Sequence, residues 1–171
     1  THDGGLTAIR IEGPTNSVDQ RIEKLSKELG LLDEERAILD TEQSNIFWNR
    51  TKNLEVFKSL KSNLLRIVVP ISETLQVIQK LKNHDIKYFI DWGGSLIWAS
   101  FDQLNAKILS EIKELLKKHH GYITLIKIEE DLKASADIFT IDPIKYKISE
   151  KIKRSFDPKR IFNPGKMYTG I

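Results

Sequence analysis

The order of strand-like and helix-like segments between residues 64 and 128 is the feature that most constrains how this chain can fold. Strand-like runs cover residues 64–69, 86–92, 95–101 and 122–128, and helical spacing of apolar residues separates the first from the second and the third from the fourth. Gly93-Gly94 lies between the second and third runs and predicts a tight turn with positive φ. This order is that of a split βαβ, ferredoxin-like unit. We therefore predict an α+β sandwich, an antiparallel sheet with helices packed on one face.

Capping residues predict where the two helices of this unit begin and end. Ser72 should cap the first helix, and Leu75 should face inward. Asp102 should cap the second helix, which should bury Leu115 and stop at Gly121.

Turn and capping residues predict further elements outside this unit. Before the unit we predict a strand over residues 6–12, a helix from Ser17 to Gly30, a short strand near residues 36–40 and a helix from Thr41. After it we predict an irregular acidic loop over residues 129–142 and a last helix from Pro143 to Phe156. Residues 1–5 lack an initiator methionine and are interpreted as a tail or a cloning remnant. We expect a single domain over residues 6–171, which is an ordinary size for one hydrophobic core.

The composition argues against several classes of function. None of the 171 residues is cysteine, which excludes disulfides, a cysteine nucleophile and cysteine-ligated clusters within this chain. The 27 basic residues are interleaved with 24 acidic ones, and a net charge of +3 gives no reason to expect a nucleic-acid partner. The longest apolar run is strand-sized, far short of the ~18–20 residues of a transmembrane helix. His119 and His120 are neighbours that point to different faces of a helix, so we expect no bound metal.

The C-terminal residues 155–167 combine rigid turns with apolar side chains. Asp-Pro and Asn-Pro-Gly turns surround Phe156, Ile161 and Phe162, whereas a chain end without a role is usually polar and frayed. We therefore expect this segment to fold against another surface. Lys166 directly follows the Asn-Pro-Gly turn, so its ammonium group should have a defined position.

Arg66 is a candidate anion-binding residue because it interrupts an otherwise apolar strand. A buried guanidinium needs an anion, and a substrate carboxylate bound through two parallel hydrogen bonds would provide one. An internal salt bridge or a solvent-facing edge position is the alternative. Trp92 and Trp98 flank the Gly-Gly turn, so we expect at least one of them to line a cavity rather than fill the core.

Three segments, residues 65–70, 91–98 and 156–167, together resemble the FAD-binding subunit of glycolate oxidase (the GlcE type). The last of them, Phe-Asp-Pro-Lys-Arg-Ile-Phe-Asn-Pro-Gly-Lys-Met, is similar to the C-terminal signature of the vanillyl-alcohol oxidase (FAD-linked oxidase) superfamily, and Asp-Trp-Gly-Gly narrows the resemblance to this subunit type. The resemblance implies a ferredoxin-like C-terminal cap domain that closes over the flavin and shapes the substrate site. It also implies that an N-terminal domain outside these 171 residues binds most of the FAD.

The resemblance further implies hydride transfer from a small 2-hydroxy acid, glycolate or D-lactate, to FAD. It assigns Asn163, Gly165 and Lys166 to the cofactor, with a turn cap for Asn163 and a solvated charge for Lys166 as the alternatives. The implied partners are the FAD-binding domain, a second flavin subunit and an iron–sulfur subunit. The implied location is cytoplasmic or, through those subunits, peripheral at the inner membrane.

One departure from the relatives concerns metal chemistry. Related dehydrogenases hold their substrate through a metal bound by a histidine cluster that this sequence lacks, so we do not expect metal-assisted chemistry and assign no catalytic residue. Because the resemblance places most of the FAD in a domain outside these residues, the chain alone should be inactive. The contrasting hypothesis is a non-catalytic interaction module or the remnant of a split gene.

Overall fold

The computed structural model describes residues 5–31, 36–58, 63–133, 136–140, 142–166, 168 and 171. The chain divides into two compact units, Thr1–Val56 and Phe57–Ile171. The first unit contains helices α1 (Thr15–Leu29) and α2 (Thr41–Lys52), and none of its described hydrophobic side chains is buried. The hydrophobic core belongs to the second unit.

The second unit is built around a four-stranded antiparallel sheet. Its elements are β1 (Asn63–Val68), α3 (Thr74–Leu81), β2 (Ile86–Asp91), β3 (Leu96–Phe101), α4 (Ala106–Lys118), β4 (Tyr122–Lys127), α5 (Glu130–Lys133) and α6 (Pro143–Phe156). The strands lie in the order β2-β3-β1-β4, and each neighbouring pair is antiparallel. This is the order of a split βαβ unit, so the predicted α+β, ferredoxin-like sandwich is confirmed.

One face of the sheet packs against α3 and α4 to form the core. Leu65 and Ile67 alternate with outward-facing neighbours along β1 and are fully buried on this face. The other members of the cluster are Val69, Val77, Ile78, Leu81, Ile97, Ala99, Phe101, Leu104, Leu109, Ile112, Leu116, Ile123, Leu125 and Leu132. Leu75 was expected to face this core but is 71% exposed, whereas Leu115 packs against the core as expected, partly buried beside the fully buried Leu116. The buried stripe of α3 follows the i, i+3, i+4, i+7 spacing of a regular helix, which leaves Leu75 outside it.

Both helices of the ferredoxin-like unit begin later than predicted. A 3-10 turn containing Ser72 precedes α3, which starts at Thr74. Asp102 does not cap α4; Asn105 does, by accepting the N–H of Ile108 at 2.9 Å. Leu104 lies between the expected and the observed cap and is buried. The loop before α4 therefore contributes a side chain to the core before the helix begins.

Glycine plays two different roles around the sheet. Gly93 and Gly94 have φ angles of 61° and 119°, which confirms the predicted tight turn between β2 and β3. Gly121 was expected to stop α4, which ends at Lys118, and His120 rather than Gly121 adopts the left-handed conformation after it, with φ 54°. Gly121 is required for close packing, because a Cβ built there would lie 2.5 Å from Val69 Cγ1.

The strands predicted over residues 6–12 and 36–40 are wrong. The described residues in both stretches have no regular secondary structure. A strand-like pattern yields a strand only where another strand satisfies its backbone hydrogen bonds, and the sheet takes its four strands from residues 63–127.

The helices of the first unit are capped differently from the prediction. α1 begins before Ser17, which makes no capping bond, and ends at Gly30 with φ 65°. α2 does begin at Thr41, but Asp40 is its cap: Asp40 accepts the N–H of Gln43 at 2.8 Å, and the Gln43 side chain bonds back to the Asp40 backbone.

The free edge of β4 is covered by residues 136–140. Leu125 donates its N–H to the carbonyl of Ile138 at 2.9 Å, and Thr140 donates to the carbonyl of Ile123 at 3.2 Å. A single bridge also pairs Phe139 with β4. The stretch predicted as an irregular loop therefore contains the short helix α5 and an edge segment that leads the chain to α6.

α6 runs from Pro143 to Phe156, as predicted. Asp142 caps it by accepting the N–H of Ile144 at 2.8 Å, and proline at the first position needs no partner for an N–H group. Within the described ranges, neither α6 nor any other helix has the length and apolar character needed to cross a bilayer.

Candidate functional site

Arg66 lies near the centre of the outer sheet face, the face opposite α3 and α4. It belongs to β1, which is flanked by β3 and β4, so it does not occupy an edge position. Its side chain is half-buried and makes no ion pair with any described residue. Neither alternative to a ligand, the edge position nor the internal salt bridge, is present in the part of the chain that the structure describes. Such a guanidinium is a candidate binding group for an anion.

Arg66 forms part of a row of side chains across the outer sheet face. It pairs in register with Trp98 on β3 and with Thr124 on β4, and Trp98 pairs with Phe89 on β2. Directly paired residues of antiparallel strands point to the same face, with Cβ atoms about 4.5–5.5 Å apart. Phe57 stacks on Phe89 at the end of the row, with ring centres 5.7 Å apart. Arg66 therefore has an aromatic neighbour on β3 and a hydroxyl-bearing neighbour on β4.

Trp92, in the turn between β2 and β3, covers Arg66. The guanidinium carbon lies 4.8 Å from the centre of the indole ring, within the range of a cation–π contact. Trp92 is 56% exposed, so it lines the surface rather than filling the core. The structure thus brings together the three predicted substrate residues, Arg66, Trp92 and Trp98.

Asp157 organises the C-terminal tail, residues 157–171. Its carboxylate accepts the N–H groups of Ile161 and Phe162, each at 2.9 Å, and pairs with Lys153 Nζ at 2.8 Å. The hydrogen bond from Lys153 lowers the pKa of Asp157 to about 2, and the two backbone bonds act in the same direction against the effect of burial. The sequence indicated an Asp-Pro turn here but not that Asp157 would be buried and hold the tail.

The predicted cofactor residues Asn163, Gly165 and Lys166 follow the segment bonded to Asp157 and are exposed. Asn163 and Gly165 have φ angles of 46° and 68°, and the Lys166 N–H bonds to the Asn163 carbonyl at 3.3 Å. The side chains of Asn163 and Lys166 make no hydrogen bond or ion pair with a described residue. Their amide and ammonium groups are therefore available to a ligand, but no direct bond links them to Arg66.

The apolar side of α6 is exposed rather than packed against the sheet. The α6 stripe consists of Ile144, Ile148, Ile152 and Phe156, which are 70%, 53%, 54% and 84% exposed. The residues that α6 turns inward include Tyr146 and Lys153, both half-buried. Ile161 and Phe162 of the tail are also exposed, so the surface that the sequence led us to expect beneath Phe156, Ile161 and Phe162 is absent from the described residues. Isoleucine at every fourth position was the sequence signal for this stripe.

His84, His119 and His120 are the histidines that the structure describes. No group of three or more histidine, cysteine or acidic residues in the described ranges is placed to hold a metal ion. His119, which follows the last residue of α4, is half-buried, and its Nδ1 lies 2.6 Å from a carboxylate oxygen of Glu73. This hydrogen bond lowers the pKa of Glu73.

Comparison with known proteins adds one finding. Residues 139–167 match the family model described as FAD linked oxidases, C-terminal domain. No curated protein matches the chain. The matched segment contains α6 and the predicted cofactor residues Asn163, Gly165 and Lys166. Together with the ferredoxin-like fold, the match supports a C-terminal domain of an FAD-dependent oxidoreductase.

Proposed function

We propose that this chain is the cap and substrate domain of an FAD-dependent oxidoreductase that acts on a small 2-hydroxy acid, glycolate or D-lactate. In this reaction the α-carbon of the acid loses a hydride and its hydroxyl loses a proton, leaving a 2-oxo acid. The observation that carries the proposal is Arg66, a half-buried cation that has no ion-pair partner among the described residues, lies against the ring of Trp92 and pairs across the sheet with Trp98.

Arg66 binds the carboxylate of the acid in this proposal. A guanidinium donates two parallel N–H bonds to a carboxylate, which fixes the anion in orientation as well as position. Because the α-carbon is bonded to that carboxylate, holding the anion also positions the C–H bond that breaks. Trp92 and Trp98 would flank the bound anion and shield it in part from water.

FAD, when bound, supplies the hydride acceptor. The residues present fit such a group. Lys166 offers an ammonium that favours an anionic part of the cofactor, and Asn163 offers an amide that can both donate and accept hydrogen bonds. Gly165 has open space on its side-chain side, which allows the backbone of the turn to approach a ligand closely.

The proposal includes an FAD-binding domain outside this chain as the main partner. The α6 stripe supports this part, since a contiguous exposed apolar surface marks an interaction site and its burial would stabilise the complex. A second flavin subunit and an iron–sulfur subunit would carry the electrons onward. The assembly would be cytoplasmic or attached to the inner membrane through those subunits.

The test is to coexpress the chain with polypeptides encoded beside its gene and to assay dye reduction with glycolate and D-lactate. We expect flavin to copurify with the assembly and the chain alone to leave added FAD unbound. Arg66→Met should raise KM by about 10-fold or more, because a charge-assisted hydrogen bond contributes about 1.5–3 kcal/mol. An unchanged KM would reject the carboxylate site.

A matched pair of substitutions separates the charge of Arg66 from its geometry. Arg66→Lys keeps the cation but loses the two-pronged hydrogen bond, so its KM should lie between those of the wild type and Arg66→Met. Lys166→Met should weaken retention of flavin without changing KM. If both substitutions at Arg66 and the one at Lys166 affect only solubility, the two residues have no role in the site.

The alternative is a non-catalytic interaction module, and the α6 stripe favours it as well, since docking requires no flavin. The flavin content and activity of the purified complex distinguish the two functions, whereas a polar substitution in the stripe, Ile148→Ser, tests whether the stripe is the docking surface. Under the proposed function this substitution should release both the partner and the flavin-dependent activity. Under the alternative, a purified complex would contain no flavin and no activity before the substitution.

A further inference from the structure

We propose that Trp92 is the positioning residue of the Arg66 site, holding the guanidinium in an orientation that binds a small carboxylate before any partner is present. This inference deepens the proposed function and rests on it, since that function assigns Arg66 to the substrate carboxylate. Trp92 does not itself react. Its role is to fix the cation that binds the acid.

The backbone at Trp92 is unusual for a residue with a bulky side chain. Trp92, Gly93 and Gly94 have successive φ angles of 53°, 61° and 119°. The two glycines adopt such angles freely, but a tryptophan in the left-handed region is strained. Strain of this kind persists where surrounding contacts impose it, and it is concentrated at functional sites.

Hydrogen bonds on both sides of the turn impose this conformation. Asp91 accepts the N–H of Trp92 through its carboxylate at 2.7 Å, and the Ser95 hydroxyl donates to the Trp92 carbonyl at 3.2 Å. Thr74, the first residue of α3, donates its hydroxyl to the Gly94 carbonyl at 2.5 Å. The turn is thereby tied to its own strand ends and to a helix of the core.

The consequence of this fixed turn is a fixed guanidinium. Arg66 has no carboxylate partner among the described residues, and the ring of Trp92 is its one ring contact there. A long side chain in this situation would otherwise lose rotamer freedom when it bound an anion. The indole ring lies 4.8 Å from the guanidinium carbon, and no described residue accepts a hydrogen bond from the guanidinium, so its N–H groups are left for a carboxylate.

The experiment uses the full 171-residue chain and titrates it with glycolate, followed by the Nε–H resonance of Arg66 in nuclear magnetic resonance spectra. Glycolamide, which has the same shape but no charge, is the matched ligand control. We expect glycolate but not glycolamide to bind, and Arg66→Met to abolish binding. Trp92→Leu should weaken glycolate binding about 3–10-fold, the range expected when a long side chain that is no longer held must be immobilised on binding.

Trp92→Phe is the conservative variant, because it keeps an aromatic face on the same strained backbone. It should retain glycolate affinity within about threefold, and the ring-induced shift of the Arg66 resonance should persist in it but vanish in Trp92→Leu. The positioning role is wrong if Trp92→Leu binds glycolate like the wild type. It is also wrong if the folded wild-type chain shows no binding that depends on Arg66.

Assays of the complete oxidase separate this inference from the function on which it rests. Trp92→Leu should raise KM in the same direction as Arg66→Met, with kcat unchanged. An active oxidase whose KM depends on Arg66 but not on Trp92 would overturn the inference alone. Glycolate binding that depends on both residues, in an assembly that oxidises no hydroxy acid, would overturn the proposed function alone.

Discussion

Gly121→Ala tests the packing that connects α4 to the sheet. A Cβ at this position would lie 2.5 Å from Val69 Cγ1, 3.0 Å from the Val68 carbonyl oxygen and 3.1 Å from Leu116 Cδ2. Carbon atoms pack at about 3.5–4.0 Å, and Val69 and Leu116 are both buried, so neither side chain can move into solvent. Overpacking of this kind costs about 1–3 kcal/mol, whereas replacing glycine by alanine stabilises by about 0.4–1 kcal/mol through the unfolded chain. We therefore expect the free energy of unfolding to fall by about 1–2 kcal/mol.

Thermal unfolding followed by circular dichroism measures this effect. For a chain of this size the Tm should fall by about 2–8 °C. Gly5→Ala is the matched control, since no atom lies within 4 Å of its Cβ position, and it should leave the Tm unchanged. Combining Gly121→Ala with Val69→Ala removes the closest clash, so the double variant should lose less stability than the sum of the single ones. A Gly121→Ala protein as stable as the Gly5→Ala protein would refute the reasoning.

Three further predictions concern the remaining contacts of the second unit. The pKa of Asp157 is lowered from 3.8 to about 2, chiefly by the hydrogen bond from Lys153. The ionised carboxylate therefore stabilises the fold at pH values above 3.8, and this stabilisation is lost as the pH falls through about 2. Asp157→Asn should therefore lower the Tm at neutral pH and flatten its dependence on pH in this acidic range. The hydrogen bond with His119 also lowers the pKa of Glu73. Glu73→Gln should therefore lower the Tm at pH values above 4.5, and the difference from the wild type should disappear as the pH falls further. An identical decrease in Tm at every pH would show that ionisation of Glu73 does not stabilise the fold. Leu116→Ala should lower the free energy of unfolding in urea by about 2–5 kcal/mol, and a loss below 1 kcal/mol would mean that this part of the core is loosely packed.

Local patterns were sufficient to predict the ferredoxin-like unit because each of its strands has a clear end in the sequence. Pro70 follows β1, and Gly93-Gly94 forces the reversal between β2 and β3. The same kind of pattern over residues 6–12 led to a wrong prediction, since a strand forms only where a partner accepts its backbone bonds. Local pattern cannot reveal that partner, which is a property of the folded sheet.

The candidate site was predictable where it depends on residue type and not where it depends on orientation. A charged Arg66 within an apolar strand is visible in the sequence. The stacking of Trp92 on it is not, because it follows from three successive residues with positive φ. The α6 stripe shows a similar division. Its spacing can be read directly, but only the structure shows Lys153 on the opposite side of the helix bonded to Asp157, so that the stripe faces outward.

The outer sheet face and the C-terminal tail belong to one continuous row of contacts within the second unit. Thr124 pairs with Arg66 on one side and bridges to Phe139 on the other, so all three side chains project from the same face. The ring of Phe139 then lies 6.0 Å from that of Tyr168 in the tail, and Tyr168 lies 6.1 Å from Tyr146 of α6. These contacts attach the tail to the same β-sheet that carries Arg66. Within the segment that matches the FAD-linked oxidases, Phe139 and Tyr146 both contact Tyr168, and Phe139 pairs with the β4 edge of the sheet that carries Arg66.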